Sequence, residues 1–305
     1  MNIPFIKYSK IWLILSLVIA IVSAGMLFKW GLKPGIDFTG GSLLEVSFSQ
    51  NRPTLDEMNK LMIGDLNLND SVVQGAGTDK YIIRTSFLTE DQHQLVLKEM
   101  RAKFQTKDNK VLESSFETIG AAVSKQLRQR ALWAIILVNF GIICYITYAF
   151  RRVSRPVPSW KYGALAILAL LHDVLLVMGV FALLGHYYGV EVDIAFVVAL
   201  LTVLGFSVHD SIVVYDRTRE NLLRHGYGDF AQTVNDGLNQ TLMRSINTTV
   251  TTLLTLLALY FFGGATIHNF VLALLIGFTT GAYSSIFIAT PLLVVVEKWQ
   301  RRRVA

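Results

Sequence analysis

The chain has little of what soluble enzymes and secreted disulfide-rich proteins contain. A single cysteine, Cys144, among 305 residues excludes an intramolecular disulfide and a cysteine cluster for zinc. Only 16% of the residues are charged, against about 25% in soluble domains. Hydrophobic residues make up 52% of the chain. This balance excludes a disordered chain and argues against a soluble globular enzyme.

The apolar residues are instead gathered in six runs that approach or exceed the length of about 20 residues needed to span a bilayer as a helix. The first run is longer than the apolar part of a usual signal peptide, which favours a retained anchor over a cleaved leader. The sequence therefore predicts a polytopic α-helical membrane protein with six transmembrane helices. The runs are residues 11–28, 131–150, 162–184, 194–215, 245–262 and 270–296.

The positive charges between these runs predict the orientation of the chain. Two short connections, 185–193 and 263–269, contain no Lys or Arg, whereas the termini and the connections on the opposite side contain fourteen. Because such residues are retained in the cytoplasm, residues 1–10 and the basic tail 298–305 are expected there. The net charge of +6 then reflects contact with the lipid bilayer and not with a nucleic acid. The fourteen are Lys7, Lys10, Arg151, Arg152, Arg155, Lys161, Arg217, Arg219, Arg224, Arg244, Lys298, Arg301, Arg302 and Arg303.

The long segment between the first two runs, residues 29–130, has the pattern of a separate periplasmic domain. Alternating polar and apolar residues predict strands, and helical spacing with a capping box at Thr54 and Glu57 predicts the first of two helices. The order β-α-β-β-α-β is that of a ferredoxin-like α+β domain. The predicted strands are 42–49, 71–75, 80–87 and 111–119, and the predicted helices are 54–65 and 89–104.

This domain contains no cluster of catalytic side chains. Its one histidine, His93, is interpreted as a solvated surface residue because no other catalytic group accompanies it. The glycine-rich segment 35–41 lacks the spacing of a phosphate-binding loop, and we interpret it as a tight connection in which glycines adopt unusual backbone angles. We expect no enzymatic activity, no cofactor and no metal.

Apart from tyrosines and Cys144, the ionisable side chains inside the apolar runs are His172, Asp173, His209 and Asp210. A charge inside a bilayer costs roughly 2.5–3.5 kcal/mol on insertion scales, so each of them needs a reason. Arg244 begins the fifth run, on the side where Asp210 lies in the fourth, so the two can lie at comparable depth. Polar residues continue along the fifth run, at Asn247, Thr248, Thr251, Thr252 and Thr255.

Each of these residues also has a purely structural interpretation. Asp210 and Arg244 could form a buried ion pair that fixes helix register, and Arg244 could extend to the membrane surface. His172 and Asp173 could bond to a neighbouring helix, and His209 could simply pack. Glu220 and Arg224 have the spacing of an ion pair on a solvated extension of the fourth helix.

Three segments together resemble the motifs of the SecF family, the smaller membrane subunits of the SecDF accessory complex of bacterial protein export. They are 35–41 (GIDFTGG), 205–221 (GFSVHDSIVVYDRTREN) and 277–292 (GFTTGAYSSIFIATPL). The spacing of two glycines in the third segment is typical of close helix packing. The motif positions are Gly35, Asp37, Gly40, Gly41, Gly205, Asp216, Arg217, Arg219, Glu220, Asn221, Gly277 and Gly281.

The resemblance implies a member of the resistance-nodulation-division superfamily in the bacterial inner membrane. It implies partners: a SecD-like subunit, the SecYEG translocon and preprotein substrates. It also implies that the proton-motive force drives late steps of export, with Asp210 and Arg244 as the proton relay. His209 stands where the family commonly has asparagine.

Three other functions are weighed against this one. A proton-driven exporter of small molecules would have about twelve spans and two large extracytoplasmic domains in one chain. A passive translocon assembly factor would not need Asp210. A metalloenzyme could use His172, Asp173, His209 and Asp210, but no HExxH-type motif accompanies them.

Overall fold

The computed structural model describes residues 3–151, 156–226 and 228–304. Arg152 and Arg155, two of the charges used to predict the orientation, lie outside these residues. The described chain forms two compact units, one of which is Pro34–Ala131; the residues on either side of it form the other. The elements in chain order are α1 (Ser9–Trp30), α2 (Ile36–Thr39), β1 (Gly41–Phe48), α3 (Leu55–Asn59) continued by a π-helical turn (Lys60–Asp65), β2 (Val72–Ala76), β3 (Lys80–Thr85), α4 (Glu90–Phe104), β4 (Val111–Ile119), α5 (Ala121–Ala149), α6 (Ser159–Tyr188), α7 (Ile194–His225), α8 (Phe230–Phe262), α9 (Ala265–Ser284), a π-helical segment (Ser285–Ala289) and α10 (Thr290–Val304).

The described residues contain six helical stretches that are long and apolar enough to cross a membrane. Five of them are α1 and α5 to α8, and the sixth runs through α9 and α10. The prediction of a six-span helical membrane protein is thereby confirmed. Several helices are longer than their apolar runs, because polar residues continue the helix outside the apolar part. The largest difference is in α8, which begins at Phe230 although its apolar run begins at residue 245.

The unit Pro34–Ala131 contains an antiparallel four-stranded sheet with the order β2-β3-β1-β4. Together with the chain order β-α-β-β-α-β, this is the ferredoxin-like topology that the sequence predicts. The predicted capping box at Thr54 and Glu57 is present, and an equivalent one is formed at α4 by Thr89 and Gln92. These caps satisfy backbone donors at the start of each helix and thereby fix where it begins.

One face of the sheet packs on both helices. Alternate residues of β1, such as Leu44 and Val46, face the core, and Met58 of α3 and Met100 of α4 cover them. All four are at most 2% exposed. The alternation along β1 and the helical spacing along α4 therefore serve one shared core.

His93 does not lie on the surface, so that interpretation is wrong. The residue is 3% exposed, and its ring stacks on Phe116 of β4 with the centroids 3.7 Å apart. Its Nδ1 lies 3.4 Å from Oε1 of Glu90, and its Nε2 lies 3.3 Å from Oε1 of Glu113. The cause is position on the helix: His93 precedes buried Val96 by three residues and therefore shares its face.

The glycine-rich segment is a tight connection, as predicted. A single helical turn, α2, is followed by Gly40 and Gly41, with φ angles of 77° and 117°. A Cβ on Gly41 would lie 2.6 Å from the carbonyl oxygen of Thr85 on β3. Gly35 differs, because its backbone is extended and other residues can adopt it. Only the last two glycines are therefore required by the backbone.

The second unit is built around α6, α7 and α9, which contain its most buried residues. Helices α1, α5 and α8 carry many exposed apolar side chains, as expected for faces that contact lipid or another membrane subunit. Tyr162 of α6 stacks on Phe150 and meets the ring of Tyr215 of α7 edge-on. The hydroxyl of Tyr215 donates to the carbonyl oxygen of Ala289 at 3.1 Å, in the π-helical segment.

Candidate functional site

The carboxylate of Asp173 is the centre of a polar cluster between three membrane helices. Asp173 on α6 is completely buried. Ser207 on α7 and Ser284 on α9 each donate a hydrogen bond of 2.6 Å to its Oδ2. Its Oδ1 lies 3.2 Å from Nδ1 of the neighbouring His172. One carboxylate thus connects the three central helices, and the predicted interhelical role of Asp173 matches this geometry.

Close packing of α7 on α9 holds this cluster in place. A Cβ on Gly281 would lie 2.8 Å from the Cβ of Ser207, and a Cβ on Gly277 would clash with the side chain of Val203. The two glycines are four residues apart, as are their partners, so both pairs lie along one line of contact. The predicted role of these glycines in close helix packing is confirmed. Gly205, by contrast, has open space where a Cβ would lie.

Asp210 lies one turn after Ser207 on α7 and is 2% exposed. Within the described part of the chain its Oδ2 accepts no hydrogen bond. Its Oδ1 lies 3.8 Å from Nδ1 of His209. His209 itself points outward, with 59% of its side chain exposed. Asp210 is therefore a buried carboxylate without the compensating hydrogen bonds that Asp173 has.

Arg244 is exposed on α8 and forms no ion pair with Asp210 among the described residues. The two residues lie on neighbouring helices, because α7 packs against α8. The interpretation as a buried ion pair that fixes helix register is therefore wrong for the chain in this arrangement. The guanidinium instead remains available at the surface of α8.

The polar stripe that follows Arg244 also lies on the surface of α8. Asn247, Thr248 and Thr251 are exposed, although α8 is one of the six membrane-spanning helices. The hydroxyl of Thr248 donates to the carbonyl oxygen of Arg244 at 2.9 Å, and that of Thr251 donates to Asn247 at 2.9 Å. These bonds satisfy the hydroxyl donors within the helix, while the hydroxyl oxygens can still accept hydrogen bonds from outside.

The charged end of the second motif segment, 205–221, lies in α7, which continues up to His225. Arg224 forms the predicted ion pair with Glu220, at 2.6 Å, and Arg219 pairs with Asp216 at 3.1 Å. Arg217 pairs with Glu220 as well. These are helix-surface pairs, which contribute little to stability individually.

A connection from α7 to α8 accompanies these pairs. Nε of Arg217 donates to Oε1 of Gln240 at 2.5 Å, and Nδ2 of Asn221 donates to the same oxygen at 3.0 Å. The glutamine lies in the first half of α8, before the apolar run of that helix begins. The role of these two motif residues is therefore to join two helices outside the apolar layer.

Ser207, Ser284 and Gln240 are the site residues that sequence reasoning missed. Ser207 had one usable signal, its position three residues before Asp210 on a helix. Ser284 and Gln240 had none, because their partners are distant in the sequence. The sequence shows polar residues in apolar helices but not which of them meet.

The fold and the site define a class: a polytopic membrane protein with buried carboxylates inside its helices and a ferredoxin-like domain between the first two spans. Two family models match the chain. Residues 99–299 match the C-terminal model of the protein export membrane proteins SecD and SecF, and residues 25–51 match the SecD/SecF GG motif. The chain belongs to the SecD/SecF family of protein export membrane proteins.

Relatives of similar length carry one description, protein translocase subunit SecF. That of Thermobaculum terrenum is 44% identical over 303 residues, which cover 97% of this chain and 94% of the relative. That of a Synechocystis species is 38% identical, with 98% of this chain and 96% of the relative covered. The match therefore extends over nearly the whole of both chains.

Solved structures of SecDF show the same fold. The crystal structure of SecDF from Thermus thermophilus, described as a translocon-associated membrane protein, matches 98% of this chain with a TM-score of 0.83 and 31% identity. SecDF in a super-membrane-facing form matches 99% of this chain with a TM-score of 0.66 and 31% identity. This chain spans 39% of the length of each of those SecDF chains.

Proposed function

We propose that this chain is the SecF-type subunit of a SecDF complex, which uses the proton-motive force to drive late steps of preprotein export. The observation that carries the proposal is Asp210, a buried carboxylate in a membrane helix whose Oδ2 accepts no hydrogen bond in the described chain. Such a group is expensive to keep charged, so it is suited to bind and release a proton as its surroundings change. The work is transport, and no covalent chemistry on a substrate is proposed.

The energy of one proton is sufficient for a conformational change. One elementary charge that crosses the membrane field gains about 2.3 kcal/mol per 100 mV. Two conformers of a protein commonly differ by a few kcal/mol, so a proton that binds one of them better shifts the population. The ferredoxin-like domain, proposed to lie in the periplasm, is the part whose movement would act on a preprotein.

Arg244 is proposed as the second member of the relay. Its exposed guanidinium lies on the neighbouring helix and forms no ion pair with Asp210 in the described chain, so it does not neutralise a charge on Asp210 permanently. A rearrangement that brings the two closer would favour release of the proton, and one that separates them would favour its uptake. We assign His209, which is exposed beside Asp210, as the point where that proton enters.

The exposed polar stripe of α8 supports a membrane partner on this side of the chain. A row that contains Asn247, Thr248 and Thr251 is unfavourable against lipid tails and favourable against polar groups of another helix. We assign this face to a SecD-like subunit, since the SecDF relative unites both parts in a longer chain. Through that subunit the complex would act at the SecYEG translocon, in the bacterial inner membrane.

The experiment is a translocation assay with inverted vesicles that contain this chain, its SecD-like partner and the translocon. Asp210→Asn removes the titration but keeps the size of the side chain, so the complex should assemble and lose the stimulation of late export by a proton gradient. Asp108→Asn, on an exposed loop of the ferredoxin-like domain, is the matched control and should keep it. Full gradient-dependent stimulation in assembled Asp210→Asn complexes would refute the proposal.

A further inference from the structure

Asp173 has the geometry of a residue that holds other parts of the molecule in position. Its two carboxylate oxygens face different partners: Oδ2 accepts from Ser207 and Ser284, and Oδ1 faces His172. The side chain is completely buried between α6, α7 and α9. All the hydroxyl donors converge on one oxygen, so the carboxylate fixes the distance between three helices at one level.

Ser207 links this cluster to Asp210. The two residues are three apart on α7 and therefore lie on neighbouring positions of one helical face. Ser207 is held from two directions, by the hydrogen bond to Asp173 and by the backbone of α9 at Gly281, where no Cβ would fit. Asp210 has no such restraint of its own, because its Oδ2 accepts no hydrogen bond in the described chain. The rotation of α7 at Ser207 therefore determines where the Asp210 carboxylate lies.

We propose that Asp173 is a positioning residue for Asp210, which it holds in place through Ser207. This inference rests on the proposed function of Asp210 and extends it. It assigns no transported proton to Asp173: the residue acts through its hydrogen bonds. If α7 turns, the distance from Asp210 to Arg244 on the neighbouring helix α8 changes, and with it the proton affinity of the carboxylate. The titratable groups beside Asp173 in the described chain include His172, whose Nδ1 faces its Oδ1, and Tyr283 of α9, whose ring lies 6.4 Å from that of His172.

The proposal predicts different results for two substitutions of Asp173 and for the same substitution at its two serine partners. In Asp173→Asn the amide oxygen still accepts from both serines and the amide nitrogen can donate to Nδ1 of His172, so α7 stays in place. In Asp173→Ala both serine bonds are lost. Ser207→Ala breaks the hydrogen bond between Asp173 and α7. Ser284→Ala removes a bond of equal length from α9 to the same oxygen of Asp173, and leaves the bond to α7 intact. Ser284→Ala is therefore the matched control for Ser207→Ala.

The test is difference infrared spectroscopy of the purified full-length chain in lipid nanodiscs across a pH series. The carboxyl band that disappears in Asp210→Asn reports the protonation of Asp210. We expect the midpoint of this band to move by about one pH unit, a tenfold change in proton affinity, in Ser207→Ala and Asp173→Ala. In Asp173→Asn and Ser284→Ala the midpoint should stay within about a third of a unit of the wild type.

Two results would overturn the proposal. One is an unchanged midpoint in Ser207→Ala, which would show that the link does not control Asp210. The other is a shift in Asp173→Asn as large as that in Asp173→Ala, which would mean that the charge of Asp173 acts and not its hydrogen bonds. If Asp173→Ala does not fold, Ser207→Ala against Ser284→Ala decides the question. Since this readout does not depend on export, its failure is distinguishable from a failure of the translocation assay.

Discussion

Gly281 on α9 faces Ser207 on α7 so closely that a Cβ on the glycine would lie 2.8 Å from the Cβ of the serine. That contact brings together the helix with Asp210 and the helix that helps to hold Asp173. The spacing of α7 and α9 is thus set by the absence of a side chain, and any added atom must move one helix or the other.

Gly281→Ala should therefore destabilise the protein by about 1–3 kcal/mol, the usual cost of overpacking. Thermal unfolding of the purified chain in mild detergent measures this as a lower Tm. Gly205→Ala is the matched control: it lies on α7, in another motif, with open space around it, so its Tm should not fall. Equal Tm values for Gly281→Ala and the wild type would show that α9 can shift without cost.

Arg244→Lys should impair proton-dependent export without abolishing it. Lysine keeps the positive charge near Asp210 but lacks the planar, multiply donating guanidinium. The measurement is gradient-stimulated translocation in the vesicle assay, with Arg224→Lys, on the exposed end of α7, as control. We expect activity between that of the wild type and that of Asp210→Asn. Wild-type activity in Arg244→Lys would show that the guanidinium has no specific role in the relay and that the residue only extends a positive charge to the membrane surface.

A reporter that is active only in the cytoplasm should be active when it is fused after Ala305. The expectation follows from the fourteen Lys and Arg residues on one side and none in the opposite short connections. Reporters inserted into the connection 185–193 serve as control and should give the opposite result. A periplasmic signal at the C-terminus would contradict the orientation and the assigned side of Asp210.

Residues Pro34–Ala131 should fold when expressed alone, because both helices and all four strands share one apolar core. Far-UV circular dichroism should show mixed helix and strand, and a random-coil spectrum would refute autonomy. Substitution of His93 by alanine in this fragment should destabilise it, since the ring is buried against Phe116. Urea unfolding measures that loss.

The same fragment should depend on pH through Asp70. Hydrogen bonding to Ser86, whose backbone N–H donates to Oδ2 at 2.9 Å, lowers the pKa of Asp70 below its ordinary value. A carboxyl with a lowered folded-state pKa adds stability above its unfolded pKa of about 3.9 and loses it as the pH falls through the folded value. Asp70→Asn should therefore be less stable than the wild type in urea at neutral pH, and the difference should close in acid. Asp108→Asn should show no such difference at either pH.

The order of elements in the ferredoxin-like domain could be predicted from the sequence to within a few residues. Strand alternation, helical spacing and the capping box at Thr54 are local patterns, and each marks its own element. The burial of His93 does not follow from its lack of catalytic neighbours. The signal for burial is its position three residues before Val96, which puts it on the core face of α4.

The candidate site was predictable only in part. That Asp173 and Asp210 lie inside membrane helices follows from hydropathy, and the close packing at Gly277 and Gly281 follows from their spacing. Which hydroxyls meet Asp173 depends on how α6, α7 and α9 pack, and residues 111 positions apart in the chain give no local signal of contact. The first half of α8 was missed because its apolar residues, Phe230, Val234 and Leu238, are separated by polar ones and form no continuous apolar run, although their spacing is helical.

That first half of α8 has a mechanical consequence. The side chain of Asn239 accepts from the backbone N–H of Ile3 at 2.8 Å and donates to its carbonyl oxygen at 2.9 Å, and Asn235 accepts from the backbone of Ile6. Farther along, Leu256 and its neighbours meet α9 through apolar contacts. Hydrogen bonds restrict both distance and direction, whereas apolar contacts are not directional. Helix α8 is thus held by directional bonds at its N-terminal half. Arg244 lies five residues after Asn239, so it should move less than the C-terminal residues of α8 when that helix tilts.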